Sequence, residues 1–192
     1  SRDLERRLQE TSQEVNQLRS NLEKVREEAM TDALTGIANR KRFDESMRKS
    51  RREADLTGSP FSLVLCDIDH FKSVNDRYGH GVGDRVIKLV ASTLEDACTA
   101  QFVGRWGGEE FIVIMPSSDI ATVIKRLNQA RQTLADTKFK LRETDEPMGL
   151  ISFSGGVALA VGGKQANVTA LQQADKALYR AKDEGRNCIL SA

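Results

Sequence analysis

The stretch AQFVGRWGGEEFIVIMP (100–116) sets two apolar runs on either side of a pair of glycines. The runs have the composition of β-strands, and Gly107-Gly108 fits a two-residue turn, because the favoured tight turns need positive φ angles that glycine adopts without strain. We therefore predict a β-hairpin, with Glu109 and Glu110 at the start of its outgoing strand. Because side chains alternate along a strand, the two carboxylates should point to opposite faces.

The rest of the domain alternates between strand and helix patterns. Helical spacing of apolar residues is expected after residue 36, through Phe43, Met47 and Leu56, and the chain order then mixes further strands and helices. The predicted strands are 61–69, a run near 138–143, 151–160 and 187–192, and the predicted helices are about 81–97, 118–135 and 168–183. This order predicts an α/β fold with one sheet and helices packed on it.

Residues 1–30 contain no Gly or Pro and form a separate pattern. Apolar or small residues recur at alternating spacings of four and three, namely Leu4, Leu8, Thr11, Val15, Leu18, Leu22, Val25 and Ala29. This heptad seam predicts a parallel two-stranded coiled coil. The alternative is a single amphipathic helix packed on the domain, but its seam would drift by about 20° per heptad. We divide the chain into a dimerisation helix, 1–30, and a domain, 31–192.

Composition argues against several classes of function. With 29 basic and 28 acidic residues and a net charge of +1, the chain offers no general electrostatic attraction for nucleic acids or membranes, so an anionic ligand needs a local site. Cys66, Cys98 and Cys188 lack the spacing of a zinc site or a disulfide framework, which favours free thiols. The longest uncharged stretch, 147–163, is interrupted by Pro, Ser and Gly and makes a poor membrane span.

The chain begins inside the heptad pattern and without an initiating Met. We therefore expect a fragment of a longer protein, with an upstream sensor module outside it. No signal peptide is recognisable. These features predict a cytoplasmic domain without direct membrane contact, and a membrane-anchored parent protein is compatible with them.

A second acidic pair ends the apolar run FSLVLCDID (61–69), where Asp67 and Asp69 follow buried-strand residues. If this strand end lies beside the hairpin, several carboxylates meet, and they repel one another unless a cation lies between them. Oxygen ligands select hard cations, above all Mg²⁺ when a phosphorylated substrate completes the coordination. Each acidic pair alone is also typical of a solvated turn or strand end, but together they favour a metal site.

The segment HFKSVNDRYGHGVGD (70–84) forms a predicted loop before a helix. Glycines at a helix N-terminus let backbone N–H groups approach phosphate, although the GxxxxGK[ST] pattern of a P-loop is absent. Lys72 would suit a phosphate, and Asn75 and Asp84 offer the groups that read a guanine edge. The alternatives are a surface lysine, an Asx turn and a first-turn helix acid, and His80 is more typical of a helix start than of a catalytic base.

Six blocks together resemble the GGDEF family of diguanylate cyclases, in its order and spacing, over residues 31 to 192. They are DALTGIANR, DIDHFKSVND, GHGVGD, RWGGEEF, SFSGGVA and ADKALYRAKDEGRN. The resemblance implies the palm-like fold of nucleotidyl cyclases, with a central, mostly antiparallel sheet. It also implies condensation of two GTP into cyclic di-GMP with release of two pyrophosphates.

The resemblance assigns roles by motif position. The implied ligands of two Mg²⁺ per active site are Asp67, the backbone carbonyl of Ile68, Glu109 and Glu110. Of these, Asp67, Glu109 and Glu110 are the implied catalytic residues, and Glu109 would activate the 3′-hydroxyl. The implied substrate-binding residues are Phe71, Lys72, Asn75, His80, Asp84, Lys182 and Arg186. For Lys182 and Arg186, at a predicted helix C-terminus, the alternative is a role in complementing the helix dipole.

The family mechanism implies a homodimer, with one GTP on each domain and each 3′-hydroxyl attacking the other α-phosphate. The coil over residues 1–30 would hold the two domains together. One departure concerns the RxxD product-binding motif of many members, whose positions hold Cys98 and Gln101. The alternative function is a non-catalytic GTP-binding sensor or scaffold, but retention of every expected site residue favours the enzyme.

Overall fold

The computed structural model describes residues 2–116, 119–161 and 166–192. Helices and strands alternate over these residues. In chain order they are α1 (Arg2–Met30), α2 (Arg40–Thr57), β1 (Phe61–Ile68), α3 (Phe71–Tyr78), α4 (His80–Ala97), β2 (Phe102–Arg105), β3 (Glu110–Pro116), α5 (Ile120–Asp136), β4 (Phe153–Ala160), α6 (Ala166–Asp183) and β5 (Ile189–Ser191).

The sheet has the strand order β2-β3-β1-β4-β5. Neighbouring strands are antiparallel except β4 and β5, which are parallel. All eight residues of β1 are buried because the strand is central and both faces of the sheet carry helices. Val64 packs in the cluster with α4 and α5, whereas Leu65 packs in the cluster with α2 and α6. The predicted α/β fold with a mostly antiparallel sheet is confirmed.

Helix α1 runs without a break from Arg2 to Met30. Its residues 2–29 are exposed, including the seam leucines Leu8, at 72%, and Leu22, at 69%, so the helix does not lie along the domain. Ion pairs join its last turns to α2, with Arg42 2.9 Å from Glu27 and Arg26 3.5 Å from Glu45. The seam is thus free along most of its length, while the end of the helix is attached to the domain.

Two features of the sequence prediction are wrong. The run 138–143 is not a strand: it makes one bridge, Lys140 to Pro147, and then turns back, with Leu141 and Glu146 hydrogen-bonded at 2.9 Å. Phe139 and Leu141 form their backbone hydrogen bonds with nearby residues, which removes their need for partners in the sheet. The part of the predicted loop before residue 79 is helix α3, whereas the helix predicted at about 81–97 is observed as α4, which begins at His80.

Other sequence expectations have mixed outcomes. Leu56 is on α2 but 86% exposed, so it is not a core position of that helix. Residue 118, the predicted start of the fifth helix, lies outside the described residues; Asp119 caps the described helix by accepting from Thr122 N.

Cys66, Cys98 and Cys188 are free thiols, as predicted. Among the described helices, none combines the length and apolarity needed to cross a bilayer.

Helix α6 lies directly on β4 because the strand carries a glycine at the contact. A Cβ atom at Gly156 would stand 2.0 Å from the carbonyl oxygen of Ala174 and 2.3 Å from the backbone nitrogen of Leu178. Only glycine permits this approach of backbone to backbone. The close packing brings the C-terminal end of α6, with Lys182, to the end of β1.

Candidate active site

The carboxyl end of β1 lies beside the start of β3. Asp67 is opposite Glu110 in the antiparallel register, and Ile68 N donates to the carbonyl oxygen of Glu109 at 3.2 Å. The strand end and the hairpin thus lie side by side, as the sequence suggested. This arrangement collects the acidic residues of two separate motifs at one edge of the central sheet.

The hairpin differs from the predicted two-residue turn. Strand β2 ends at Arg105 and β3 begins at Glu110, so residues 106–109 form the connection. Neither Gly107 nor Gly108 is among the described glycines with positive φ. A Cβ atom at Gly107 would lie 2.8 Å from Oε2 of Glu110, so a larger residue there would displace the end of that side chain. Glu109 precedes β3. The alternation of side chains along a strand therefore does not apply to Glu109 and Glu110, which were predicted to point to opposite faces.

Asp67, Glu109 and Lys182 form an electrostatic group. Asp67 is 8% exposed, and its Oδ2 atom lies 3.0 Å from Nζ of Lys182. Burial raises the pKa of Asp67, and Lys182 and Arg186 oppose that rise. Burial, and then the charge of Asp67, raise the pKa of Glu109. The two carboxylates therefore repel each other and favour a cation between or beside them.

The charge of Asp69 also acts to raise the pKa of Asp67, but the oxygens of Asp69 are used in internal hydrogen bonds. Its carboxylate accepts hydrogen bonds from Ser152 Oγ at 2.7 Å, Ser154 Oγ at 2.6 Å and Asn187 N at 3.0 Å. A carboxylate that accepts three internal hydrogen bonds has little capacity left for a metal ion. The strand pattern alone placed both aspartates in one acidic pair, whereas the family resemblance implied Asp67 and not Asp69 as a ligand.

Within the described ranges, no group of three or more His, Cys, Asp or Glu side chains is arranged to hold a metal ion. The donor chemistry nevertheless fits a hard cation, because Asp67, Glu109 and the Ile68 carbonyl offer oxygen atoms at one place. Lys182 supplies the positive charge beside Asp67 in this structure. Further ligands would have to come from Glu110, from water or from the phosphates of a substrate.

Helices α3 and α4 form a second group of predicted residues. The Oδ1 atom of Asn75 is buried and has no hydrogen-bond partner, and it faces the Cα atom of Gly83. Phe71 is buried at the start of α3. The remaining predicted residues are exposed, namely Lys72, His80, Asp84 and Arg186. Among the described residues, the Oδ1 atom of Asn75 is thus an unusual buried acceptor, because buried polar atoms are normally paired.

Arg105 is a functional candidate that the sequence reasoning missed. Its guanidinium donates to both carboxylate oxygens of Asp32 at 3.2 Å and to the carbonyl oxygens of Gly107 and Gly108, the latter at 2.7 Å. Burial acts to raise the pKa of Asp32, but hydrogen bonds from Thr35 and the charge of Arg105 outweigh it, and the pKa is lowered. Arg105 thus ties the loop before Glu109 to the segment that follows α1.

Replacing Arg105 with Met is expected to destabilise the domain by about 1–3 kcal/mol, because it leaves Asp32 and two loop carbonyls without their donor. Urea unfolding would measure this change. Arg42→Met is the matched control, since its ion pair with Glu27 is exposed and worth about 1 kcal/mol or less. Equal losses of unfolding free energy in the two variants would contradict the proposed importance of the Arg105 contacts.

The family model described as "Diguanylate cyclase, GGDEF domain" matches residues 29–188. The chain belongs to the GGDEF family. The resemblance drawn from the six sequence blocks is thereby confirmed. The GGDEF domain also has curated relatives: diguanylate cyclase DgcP of Pseudomonas aeruginosa is 36% identical over 182 residues, which cover 94% of this chain but 26% of DgcP. The chain thus spans about a quarter of the length of that relative.

Solved structures agree with the GGDEF fold. The coiled coil and GGDEF domain of DgcB from Caulobacter crescentus, in complex with c-di-GMP, superposes with a TM-score of 0.90 at 39% identity, covering 98% of this chain and 99% of that chain. The active GGEEF domain of a diguanylate cyclase from Vibrio cholerae superposes with a TM-score of 0.72 at 32% identity, covering 80% of this chain and 96% of that one.

Proposed function

We propose that this chain is a diguanylate cyclase, which condenses two GTP into cyclic di-GMP and releases two pyrophosphates. The observation that carries the proposal is the meeting of Asp67, Glu109 and Lys182 at the end of the central sheet of a GGDEF domain. The Vibrio cholerae relative is an active GGEEF domain, which supports activity with glutamate at position 109. The DgcB complex supports cyclic di-GMP as the product.

The carboxylates would hold Mg²⁺, on which diguanylate cyclases of this family generally depend. The proposed ligands are Asp67, the Ile68 carbonyl, Glu109 and Glu110, for two ions per active site. When bound, the metal would neutralise phosphate charge and position the reacting oxygens in line. Glu109 would accept the proton of the 3′-hydroxyl as the general base.

Two groups of residues would bind the phosphates. The first backbone N–H groups of α3, at Phe71 and Lys72, precede the first full turn and have no acceptor inside the helix. Lys182 at the end of α6 and Arg186 just after it supply positive charge, and both oppose the rise in the pKa of Asp67. His80, exposed at the start of α4, would lie close to the substrate.

Guanine would bind between α3 and α4. The unpartnered Oδ1 atom of Asn75 can accept from a guanine N–H group, and the exposed carboxylate of Asp84 can accept a second one. Adenine presents a different pattern of donors and acceptors on the same edge, so this pair favours GTP over ATP. A binding site rejects an analogue that leaves the polar groups of the site without hydrogen-bond partners.

Gly83→Ala tests this pocket. The new Cβ atom would stand 1.9 Å from Asn75 Oδ1 and 3.1 Å from the Phe71 ring, so Asn75 must move. We expect GTP affinity to fall by about tenfold or more, which is about 1.4 kcal/mol. Gly81→Ala is the matched control, because its Cβ atom would meet nothing within 4 Å. Fluorescence titration with a labelled GTP measures the affinity of each variant. Equal affinities in the two variants would contradict the assignment of Asn75 to the guanine pocket.

We also propose that the active form is a homodimer with one GTP on each domain, joined through α1 as residues 1–30. Support comes from the exposed heptad seam and from the DgcB structure, which contains a coiled coil with its GGDEF domain. An upstream module would regulate the enzyme by changing the register or splay of the two helices. Residues 31–192 would then be the catalytic domain in the cytoplasm.

Incubation with GTP and Mg²⁺, followed by chromatographic separation of products, tests the proposed function. Cyclic di-GMP from the wild type, and none from the Glu109→Gln/Glu110→Gln variant, is the expected result. GTP binding by a confirmed dimer without product at any protein concentration would instead favour a GTP sensor. Absence of both binding and product would contradict either function.

Product inhibition through the RxxD positions is expected to be weak or absent. Cys98 is 1% exposed in the core, Gln101 is uncharged, and the cavity beside Gln101 has a volume of about 150 Å³. Ligand pockets usually measure about 300–1,000 Å³, so this cavity does not suit a cyclic dinucleotide. Calorimetry with cyclic di-GMP and a Glu109→Gln variant measures the binding. Tight binding that Gln101→Ala weakens would refute the expectation.

A further inference from the structure

The backbone after α6 is left-handed at three consecutive residues. The φ angles are 110° at Gly185, 64° at Arg186 and 47° at Asn187. Residues with a Cβ atom pay a steric penalty in this conformation and keep it only when surrounding contacts impose it. The left-handed segment Gly185–Asn187 therefore needs an explanation in its contacts.

Two side chains from other elements hold this segment. Asn187 N donates to Oδ2 of Asp69 at 3.0 Å, and Arg131 Nε on α5 donates to Oδ1 of Asn187 at 3.0 Å. Within the segment, Arg186 N donates to the carbonyl oxygen of Ala181 at 2.9 Å. The segment is thus fixed from β1, from α5 and from the end of α6.

Asp69 is itself rigidly held. It is 8% exposed, and it accepts from Ser152 Oγ at 2.7 Å and from Ser154 Oγ at 2.6 Å. Asp69 N also donates to the carbonyl oxygen of Ser152 at 2.9 Å. The carboxylate therefore provides a fixed acceptor, and the left-handed segment is attached to the central sheet through it.

The segment places a cation at the candidate active site. Arg186 is exposed and lies just beyond the C-terminal end of α6. Lys182, one turn earlier, contacts Asp67 directly at 3.0 Å. A right-handed backbone at 185–187 would send the side chain of Arg186 in a different direction, so the direction of this cation depends on the contacts of Asn187.

We propose that Asp69 is a positioning residue for substrate phosphate. Through its hydrogen bond with Asn187 N, it keeps the segment Gly185–Asn187 left-handed and Arg186 directed toward the site. This inference rests on the proposed function, in which Arg186 contacts a phosphate of GTP. Asp69 would touch neither substrate nor metal, which separates its role from that of Asp67 two residues earlier.

A double-mutant cycle on nucleotide affinity tests the inference. The probe is 3′-deoxy-GTP with Mg²⁺, because it lacks the attacking hydroxyl and cannot be condensed. We expect Asp69→Asn and Arg186→Gln each to weaken binding by about tenfold, and the double variant to bind no more than about twofold more weakly than Arg186→Gln alone. Such coupling is not expected of a residue that contributes only to general stability.

If the two losses of nucleotide affinity multiply in the double variant, Asp69 and Arg186 act independently and the inference is overturned. If Asp69→Asn unfolds the domain, Arg131→Met loosens the same segment from α5, and its effect should likewise vanish in the Arg186→Gln background. GTP turnover by the wild type is measured in parallel. Turnover with multiplying losses overturns only the role of Asp69, whereas a wild type that neither binds the probe nor converts GTP overturns the proposed function and this inference together.

Discussion

Glu109→Gln is expected to lower the rate of cyclic di-GMP formation by about 10²–10⁴-fold, the range lost when a general base is removed. The amide keeps the shape of the side chain but cannot accept the 3′-hydroxyl proton, and it removes a charged oxygen ligand for the metal. Nucleotide affinity should fall much less, because the proposed guanine contacts on α3 and α4 remain. Initial rates and 3′-deoxy-GTP affinity, measured on the same preparation, separate the two effects.

The matched control is Glu184→Gln, which removes the same charge from an exposed residue just after α6. We expect this variant to retain wild-type activity within about twofold, because exposed charges at a distance are screened by salt. Comparable losses in both variants would show that net charge, not the position of Glu109, decides the rate. Unchanged activity in Glu109→Gln would refute its catalytic role.

The second large effect concerns the heptad seam of α1. Leu8→Glu/Leu22→Glu places like charges opposite each other in a parallel coil, so the chain should become monomeric. At nanomolar to low micromolar protein, activity per domain is expected to fall by about 100-fold, because a coil that joins the two domains provides an effective concentration of about 1 mM. Raising the protein concentration should restore activity. Light scattering and concentration-dependent initial rates measure these changes.

Leu56→Glu is the control for this variant, since Leu56 is also a strongly exposed leucine on a helix but lies outside the seam. It should remain dimeric and active. A shortened chain, 24–192, provides a further test, because it removes most of the seam but keeps the buried Met30 and the ion pairs of Arg26 and Glu27 with α2. Full activity of this chain at low concentration would contradict a catalytic role for the coil.

The elements predicted correctly are those whose patterns are long or strongly apolar. Strand β1 was predicted at 61–69 and observed at 61–68, because an uninterrupted apolar run that ends in charge describes a central strand. The helix predicted at 81–97 is observed at 80–97. The buried residues form a continuous run in β1 and recur at helical spacing in α4, so local sequence is enough to place both elements.

The elements predicted incorrectly depend on contacts that local sequence does not encode. Helix α3 has eight residues, too few for a clear period, and glycines near its end suggested a loop. The run 138–143 has the alternation of a strand, but in the structure it turns back after its single bridge. For such short segments, tertiary contacts outweigh intrinsic propensity.

The amino-acid sequence by itself determined the family, the central strand, the heptad seam and the inventory of candidate site residues, because these depend on residue type, order and spacing. Only the tertiary structure decided how the residues are used. It gave Asp67 the contact with Lys182, and it gave Asp69, just after the same strand, three internal hydrogen bonds. It also joined Arg105 to Asp32 across 73 positions of sequence. Such pairings arise when strands and helices from distant parts of the chain pack together, and no local pattern records them.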